Sequence, residues 1–242
     1  GSTVDVLTYL GEFTRNAISH GLTVHAQQSM VKIAPGIDVE HFLPTDASAL
    51  RKSLGLTEKK VIVSVGRLVH RKGQDRLIEA MPEILKTVSN AHLLLVGEGP
   101  HRDHLQKLIQ KHRLEGSVTL IGRIDYKDLP LYICVGDIFA MPSRSRLMGL
   151  EVEGLGIVYL EASACGLPVL AGNSGGAPDA VVQNETGLVV DGTNNKEIAD
   201  AAIELLTKVD LSKKMSTAGR KWIVENWRWE IWSRSFEDLL NK

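Results

Sequence analysis

Short apolar runs, scarcely interrupted by polar residues, recur along this chain and set its architecture. Val61–Val65, Ala91–Val96, Val118–Ile121, Ile138–Met141, Pro168–Ala171 and Gly187–Val190 are each bounded by glycine, proline or acidic residues and predict six buried strands. Helical patterns lie between them. The clearest starts at Asn194, which with Glu197 has the spacing of a capping box, and continues with Ile198, Ala201, Ala202 and Leu205 on one face. Strands apolar on both faces, alternating with helices, predict an α/β fold: a doubly wound, Rossmann-like parallel sheet covered on both sides. Ligands bind such a sheet beyond the C-terminal ends of its strands. The loops Gly66–Gln74, Gly97–Pro100, Gly122–Asp125, Pro142–Gly156 and Gly172–Pro178 should therefore share one rim.

Both ends depart from this alternation. Val4–Leu10 predicts a strand and Thr14–His20 a short helix, followed by an extended segment through Ile33–Asp38 and a turn at Leu43-Pro44. This stretch is expected to be the tail of a preceding domain; Gly1-Ser2 is compatible with a tag remnant or with native sequence. The division expected is residues 1–33 as tail and linker, 34–225 as the main domain and 226–242 as a C-terminal helix. Trp222, Trp227, Trp229 and Trp232 are the only tryptophans, and their crowding at this end predicts that they dock the last helices onto the body rather than form a carbohydrate platform.

Composition narrows the class. A chain of 242 residues with 43% hydrophobic content can bury a full core. Its 28 basic and 29 acidic residues, net charge -1, argue against nucleic acid and against a broadly basic membrane surface, so any positive site must be local. Cys134 and Cys165 lie in apolar stretches without metal-ligand spacing, as expected of buried free thiols in a reducing compartment, by default the cytoplasm. No apolar run approaches the roughly 20 residues that span a bilayer, which limits expected membrane contact to a peripheral one, at the inner face of the plasma membrane.

The candidate chemistry centres on Glu153 and Glu161, which flank the turn Gly154-Leu-Gly156. Cys165-Gly166-Leu-Pro168 signals a helix end with a left-handed glycine cap. Counting back along Ile157, Val158, Leu160 and Ala162 places the helix start near Gly156, so that Glu161 lies inside the helix and Glu153 outside it. Backbone N–H groups at Gly156, Ile157 and Val158 would then face a phosphate, favoured there by the helix dipole, with one carboxylate on its sugar side and one on its nucleoside side. A basic loop after the first main strand, Gly66-Arg67-Leu-Val-His70-Arg71-Lys72-Gly73, offers Arg67 and Lys72 to neutralise a diphosphate on the same rim. His70 and Arg71 are expected to be solvated.

Taken together, Gly66-Arg67, Lys72-Gly73, Gly97-Glu-Gly99, Pro142-Ser143, the glutamate pair, the run from Glu161 to Pro168 and Gly175-Gly176-Ala-Pro178-Asp179 resemble the retaining glycosyltransferases of the GT-B fold, over nearly the whole chain. Within that family the stretch from Ser145 to Glu161, Arg71–Asp75 and Trp227-Arg-Trp229-Glu resemble GDP-mannose-dependent phosphatidylinositol mannosyltransferases that act on the monomannoside. The resemblance implies GDP-mannose as donor, a lipid-linked acceptor, and no cofactor or metal. It implies that Glu153 contacts the sugar hydroxyls, with covalent attack as a minority role, and that Glu161 receives the ribose hydroxyls. It further implies that the base rests on the loop around Arg123 and Ile124, while Arg144 and Gly175-Gly176 lie near the diphosphate or sugar. Glycine turns alone would explain the last two.

Family members are about twice this length, with an N-terminal acceptor domain that supplies a glycine-rich loop and an active-site histidine. Nothing here matches that domain beyond its tail, so the chain is expected to hold the donor without transferring the sugar. A UDP-sugar donor, another acceptor and a non-catalytic nucleotide-sugar module are the alternatives. A sugar-nucleotide epimerase would share the phosphate rim but has no call for paired glutamates. A dinucleotide-binding dehydrogenase would place its glycine fingerprint after the first strand, whereas Gly97-Glu-Gly99-Pro-His-Arg102 follows the second and ends in arginine.

Overall fold

A computed structural model describes residues 5–241. Gly1-Ser2 and the first residue of the predicted opening strand, Val4, lie outside the described residues. The strands in chain order are β1 (Leu7–Tyr9), β2 (Met30–Lys32), β3 (Lys60–Val65), β4 (Ala91–Val96), β5 (Val118–Gly122), β6 (Ile138–Met141), β7 (Val169–Gly172) and β8 (Gly187–Val190). All six predicted main strands are present, within a residue of their expected bounds.

Strands β3 to β8 form one sheet in the order β5-β4-β3-β6-β7-β8, every pairing parallel. Alternate residues enter opposite cores, as a period of two requires. Val61, Val63, Val65, Leu94, Phe139, Met141 and Val169 pack on one face. Ile62, Leu93, Leu95, Ile138, Ala140 and Leu170 pack on the other. The second face is covered by helices Gln74–Thr87, Arg102–His112 and Asn195–Thr207. The first is covered by helices Leu129–Cys134 and Ile157–Ala164, by Ile37 and Phe42 from the connecting segment, and by Ile223 and Trp227. The chain winds outward from β3 to β5 and then returns to place β6 on the other side of β3. The crevice opened by that reversal lies at the C-terminal ends of β3 and β6, between the loop holding Lys72 and the loop holding Glu153.

Local signals are realised with small changes. Asn194 caps its helix by accepting from the backbone N–H of Lys196 and Glu197 at 3.1 and 3.2 Å. The capping box is only half formed, because the Glu197 carboxylate accepts from Asp191 N–H at 3.1 Å, while Asn194 N–H is already bonded to the Asp191 carbonyl. Gly166 takes the left-handed conformation expected after the helix, with φ 79°. Near the start, β1 and β2 form a separate parallel pair, and helix Glu12–Ser19 sits two residues before Thr14, where it was expected. A short helix, Val24–Gln28, was not anticipated; it has only one buried residue, Ala26, and so no apolar face to read. Both cysteines are free thiols, Cys165 buried and Cys134 half-buried.

The tryptophans fix the C-terminal end. Trp227 is 2% exposed and lies between Trp222 and Trp232, with ring centroids 5.5 and 6.0 Å away. Lys32 of β2 places its ammonium 5.1 Å above the Trp227 ring, and Ile37 N–H bonds the Trp227 carbonyl at 2.6 Å. Truncation of this ring should cost more than loss of its half-exposed neighbour. Urea unfolding of Trp227→Ala is expected to show a loss of about 3–5 kcal/mol, against less than about 1 kcal/mol for Trp229→Ala.

Candidate functional site

Glu153 is only 7% exposed and is held by two cations. Lys72 Nζ lies 2.6 Å and Arg71 Nη1 2.9 Å from the same carboxylate oxygen, Oε2. A lone carboxylate at this depth would be protonated or expelled, so the pairing is what allows its burial. The cations come from a 3₁₀ turn, His70–Lys72, on the loop after β3, and the carboxylate comes from the loop after β6. The switch point of the sheet is what brings the two together. Arg71, expected to be solvated, is instead half-buried and also approaches Glu151 at 4.0 Å. Arg146 pairs with Glu151 at 2.8 Å. Three cations thus face two carboxylates, a local positive surplus in a chain whose net charge is -1.

The basic turn is braced from behind. Arg144 is 4% exposed and donates to both oxygens of Asp75, itself 6% exposed, at 2.9 and 2.6 Å. Its Nη2 also lies 2.9 Å from the His70 ring nitrogens, and its backbone N–H bonds the Arg71 carbonyl at 2.8 Å. Gln74, also buried, donates to the Arg67 carbonyl at 3.3 Å. Arg144 therefore braces the turn that carries Lys72, its guanidinium committed to Asp75. Burial alone would raise the Asp75 carboxyl, but the hydrogen bonds and charge of Arg144 outweigh it and the net shift is downward. His70, expected to be solvated, is half-buried, and burial followed by the Arg144 charge depresses its imidazole.

Glu153 is also shaped through its backbone. Its carbonyl accepts from Gly176 N–H at 2.8 Å, and its N–H points to the Ser174 hydroxyl at 3.3 Å. A Cβ on Gly175 would stand 2.2 Å from that carbonyl oxygen, and one on Gly176 would stand 2.1 Å from the Gly154 oxygen. The Gly-Gly pair thus lets one turn press directly against another; Ser174 and the close approach left no spacing signal in the sequence.

Helix Ile157–Ala164 begins where predicted, after Gly156 at φ 79°, and no side chain caps its first turn. A cavity of about 320 Å³ opens there, lined by Lys72, Glu153, Leu155, Gly156, Ile157 and Val158, with Leu10 and Pro35 on the remaining wall. The N–H groups of Ile157 and Val158, which no side chain caps among the described residues, thus share one space with a lysine and a carboxylate. Glu161 lies one turn into the helix, partly buried and with no side-chain hydrogen bond among the described residues. Desolvation pushes its carboxyl up to about 7. It is close enough to help burial raise the Tyr126 phenol. Tyr126, which follows the loop after β5, stacks on His41 with centroids 4.7 Å apart. The two glutamates thus face different neighbours, Glu153 the basic turn and Glu161 the loop after β5.

The other expected residues lie on that rim with little to hold them. Gly66 follows β3 directly, and Arg67 is exposed with no ion pair among the described residues. Arg123 is exposed after β5, while Ile124 is half-buried against the core. Among the described residues no three histidine, cysteine, aspartate or glutamate side chains converge as metal ligands, and no helix is long and apolar enough to cross a membrane.

Residues 46–222 match the family of glycosyl transferases group 1. Over 242 residues the chain is 43% identical to a GDP-mannose-dependent alpha-(1-6)-phosphatidylinositol monomannoside mannosyltransferase of Mycobacterium tuberculosis, an alignment covering 99% of this chain and 62% of that protein. The protein of the same description from Mycolicibacterium smegmatis is 41% identical, with 100% and 63% covered. Among solved structures, a sucrose-phosphate synthase from Thermosynechococcus elongatus superposes with TM-score 0.86 at 27% identity, covering 99% of this chain and 58% of that one. Anabaena Alr3699/HepE in complex with UDP gives TM-score 0.88 at 22% identity, covering 98% and 64%, a likeness of fold. The chain spans 62% to 63% of the length of these mannosyltransferase relatives, so the expected factor of two in length is too large.

Two measurements test this electrostatic arrangement. Asp75→Asn removes one partner of a buried pair and should destabilise the fold by about 3–5 kcal/mol in urea unfolding. Glu161 binds its proton more tightly folded than unfolded. The stability it lends is therefore full below the ordinary glutamate pKa and is lost as pH rises to about 7. Glu161→Gln should accordingly be more stable than the parent by about 1–3 kcal/mol near pH 8, and the advantage should vanish near pH 4, as thermal melts across pH would show.

Proposed function

The chain belongs to the glycosyl transferases group 1 family, and from that premise we propose that it is the donor-binding part of a retaining mannosyltransferase. It takes GDP-mannose, and the sugar goes to a phosphatidylinositol mannoside acceptor. The observation that carries this reading is the buried Glu153, paired with Lys72 and Arg71, which shares one cavity with Lys72 and the start of helix Ile157–Ala164. The named activity of the relatives at 41% and 43% identity supports the donor and the acceptor class.

The reaction breaks the bond between the sugar C1 and the diphosphate oxygen while a hydroxyl of the acceptor forms a new bond at C1. Positive charge develops on the sugar ring and negative charge on the departing GDP. Fixed positive groups at the phosphates stabilise that state more than the ground state. Lys72, Arg67 and the N–H groups of Gly156, Ile157 and Val158 fill this role, and no metal is assigned. Lys72 is paired with the Glu153 carboxylate, so the diphosphate enters by sharing a cation already in place rather than by ordering a free one. Glu153 accepts hydrogen bonds from the sugar hydroxyls and steadies the developing ring charge. Glu161, which has no side-chain hydrogen bond among the described residues, accepts from the ribose hydroxyls, whose donation favours its ionised form. The base lies along Arg123 and Ile124, with backbone groups as its polar contacts.

Calorimetric titration with GDP-mannose, GDP and UDP-glucose tests the assignment. GDP-mannose and GDP should bind more tightly than UDP-glucose, and the reverse order would replace the mannosyl donor by a UDP-sugar. Lys72→Ala and Arg67→Ala should each weaken GDP binding by about 1.5–3 kcal/mol, the worth of one charge-assisted hydrogen bond. Affinity unchanged in both variants would remove these residues from the phosphate site.

A further inference from the structure

The charged side chains around Glu153 form a row in which the sign alternates. Arg146 Nη1 lies 2.8 Å from Oε2 of Glu151, and Arg71 Nε lies 4.0 Å from the other oxygen of that carboxylate, Oε1. Arg71 Nη1 then reaches Glu153 Oε2 at 2.9 Å, and Lys72 Nζ ends the row on the same oxygen at 2.6 Å. Each carboxylate thus stands between two cations. Taking Lys72 from its end would leave Arg146 and Arg71 against Glu151 and Glu153, a balanced set, whereas taking Arg71 from the middle would leave Glu153 with Lys72 alone. The two cations on Glu153 also face differently. Lys72 and Glu153 line the cavity at the start of helix Ile157–Ala164, while Arg71, although its side chain is 28% exposed against 12% for Lys72, has no part in that wall. A ligand in the cavity therefore meets Lys72 and not Arg71.

We propose that Arg71 is a positioning residue that keeps Glu153 paired while a diphosphate in the cavity draws Lys72 toward itself. The proposal rests on the reading of a nucleotide-sugar donor and adds how one lysine can serve two anions. A carboxylate 7% exposed holds its last counter-ion strongly, because breaking that pair would leave an uncompensated buried charge. If Lys72 were that last counter-ion, a phosphate would have to compete with Glu153 for it. With Arg71 in place Glu153 keeps a cation throughout, and Lys72 is released. The residue types suit this division, since lysine is a point charge on a flexible stem and arginine a planar fork that holds a carboxylate in fixed geometry. Arg71 is also anchored through its own backbone, its carbonyl accepting from Arg144 N–H at 2.8 Å. Both cations approach Oε2, and Oε1 of Glu153 accepts no hydrogen bond among the described residues. The hold of Arg71 on Oε2 therefore leaves the other oxygen for a sugar hydroxyl.

A double-mutant cycle read by calorimetric titration with GDP tests this. Arg71→Met should weaken GDP binding about tenfold, within the range of coupling inside one ion-pair network, and Arg71→Lys, which restores a cation, should recover most of that loss. In the Glu153→Gln background, where no carboxylate detains Lys72, Arg71→Met should cost about threefold or less, the remainder left by a screened charge out of contact with the ligand. Arg71→Gln should repeat the pattern of Arg71→Met in both backgrounds and carries the cycle if the methionine variant does not fold. A full loss that persists alongside Glu153→Gln would overturn the proposal, because Arg71 would then act on the phosphates directly or only through the fold. So would a variant without the Arg71 charge that binds GDP as the parent does, or a lysine variant that recovers nothing. A parent that binds inorganic diphosphate but not GDP would defeat the donor reading alone, and the cycle would then be read with diphosphate. A parent that binds neither would overturn both.

Discussion

The burial of the Glu153 carboxylate is the constraint on which the rest of the site depends. A carboxylate 7% exposed must find compensating charge, and here it finds Lys72 and Arg71 on a single oxygen. A buried ion pair of this kind is not a strong source of stability, because desolvation of both partners offsets much of the attraction. Its value lies in readiness. Lys72 and Arg71 are held close together on one oxygen, and Lys72 shares a cavity with a helix start that has no side-chain cap among the described residues. The arrangement requires β6 to lie directly beside β3, since the cations leave one strand end and the carboxylate the other. The sheet order is therefore part of the electrostatics.

The two glutamates answer the same desolvation in opposite ways. Glu153 is matched by charge within the protein. Glu161 is matched by nothing among the described residues, and its carboxyl moves up to about 7. A group in that condition accepts hydrogen bonds poorly while protonated and strongly once ionised, so a ligand bringing hydroxyl donors would shift it toward the anion. On the proposed reading, the surplus of cations around Glu153 and the lack of donors around Glu161 among the described residues suit one ligand, anionic at one end and hydroxylated at the other. Neither half alone would distinguish a nucleotide sugar from a phosphate ion or a free sugar.

Much of this was legible in the residues. The six main strands, the helix start at Gly156, the left-handed cap at Gly166 and the separation of Glu153 from Glu161 all follow from period, cap and turn chemistry, which act over a few neighbours. What escaped the sequence depends on contacts between distant segments. Arg71 looked solvated because nothing local distinguishes it from an ordinary surface arginine; its partner is 82 positions away. Asp75 drew no reading of its own beyond its place in the Arg71–Asp75 stretch, although it is the bidentate partner of Arg144, 69 positions on. Lys72 reads as a phosphate ligand from its loop alone, and its carboxylate partner is 81 positions away. The half-formed box at Asn194 shows the same limit on a smaller scale, since the carboxylate went to a neighbouring turn whose geometry the pattern does not encode.

The N-terminal segment is bound into this network more closely than a simple tail would be. Leu10 and Pro35 supply one wall of the cavity that Glu153 and the helix start enclose. Phe13 N–H bonds an oxygen of Asp179 at 3.1 Å, and Asp179 N–H bonds the Gly176 carbonyl at 3.0 Å. Gly176 in turn donates to the Glu153 carbonyl at 2.8 Å. A continuous hydrogen-bonded path thus runs from residue 13 to the backbone of the buried carboxylate, through the turn whose missing side chains allow the contact. Movement of the N-terminal segment against the main sheet would open or narrow the cavity and at the same time pull on the backbone that positions Glu153. The geometry of the Glu153 carboxylate and the access to its cavity are, in this fold, tied to one set of contacts.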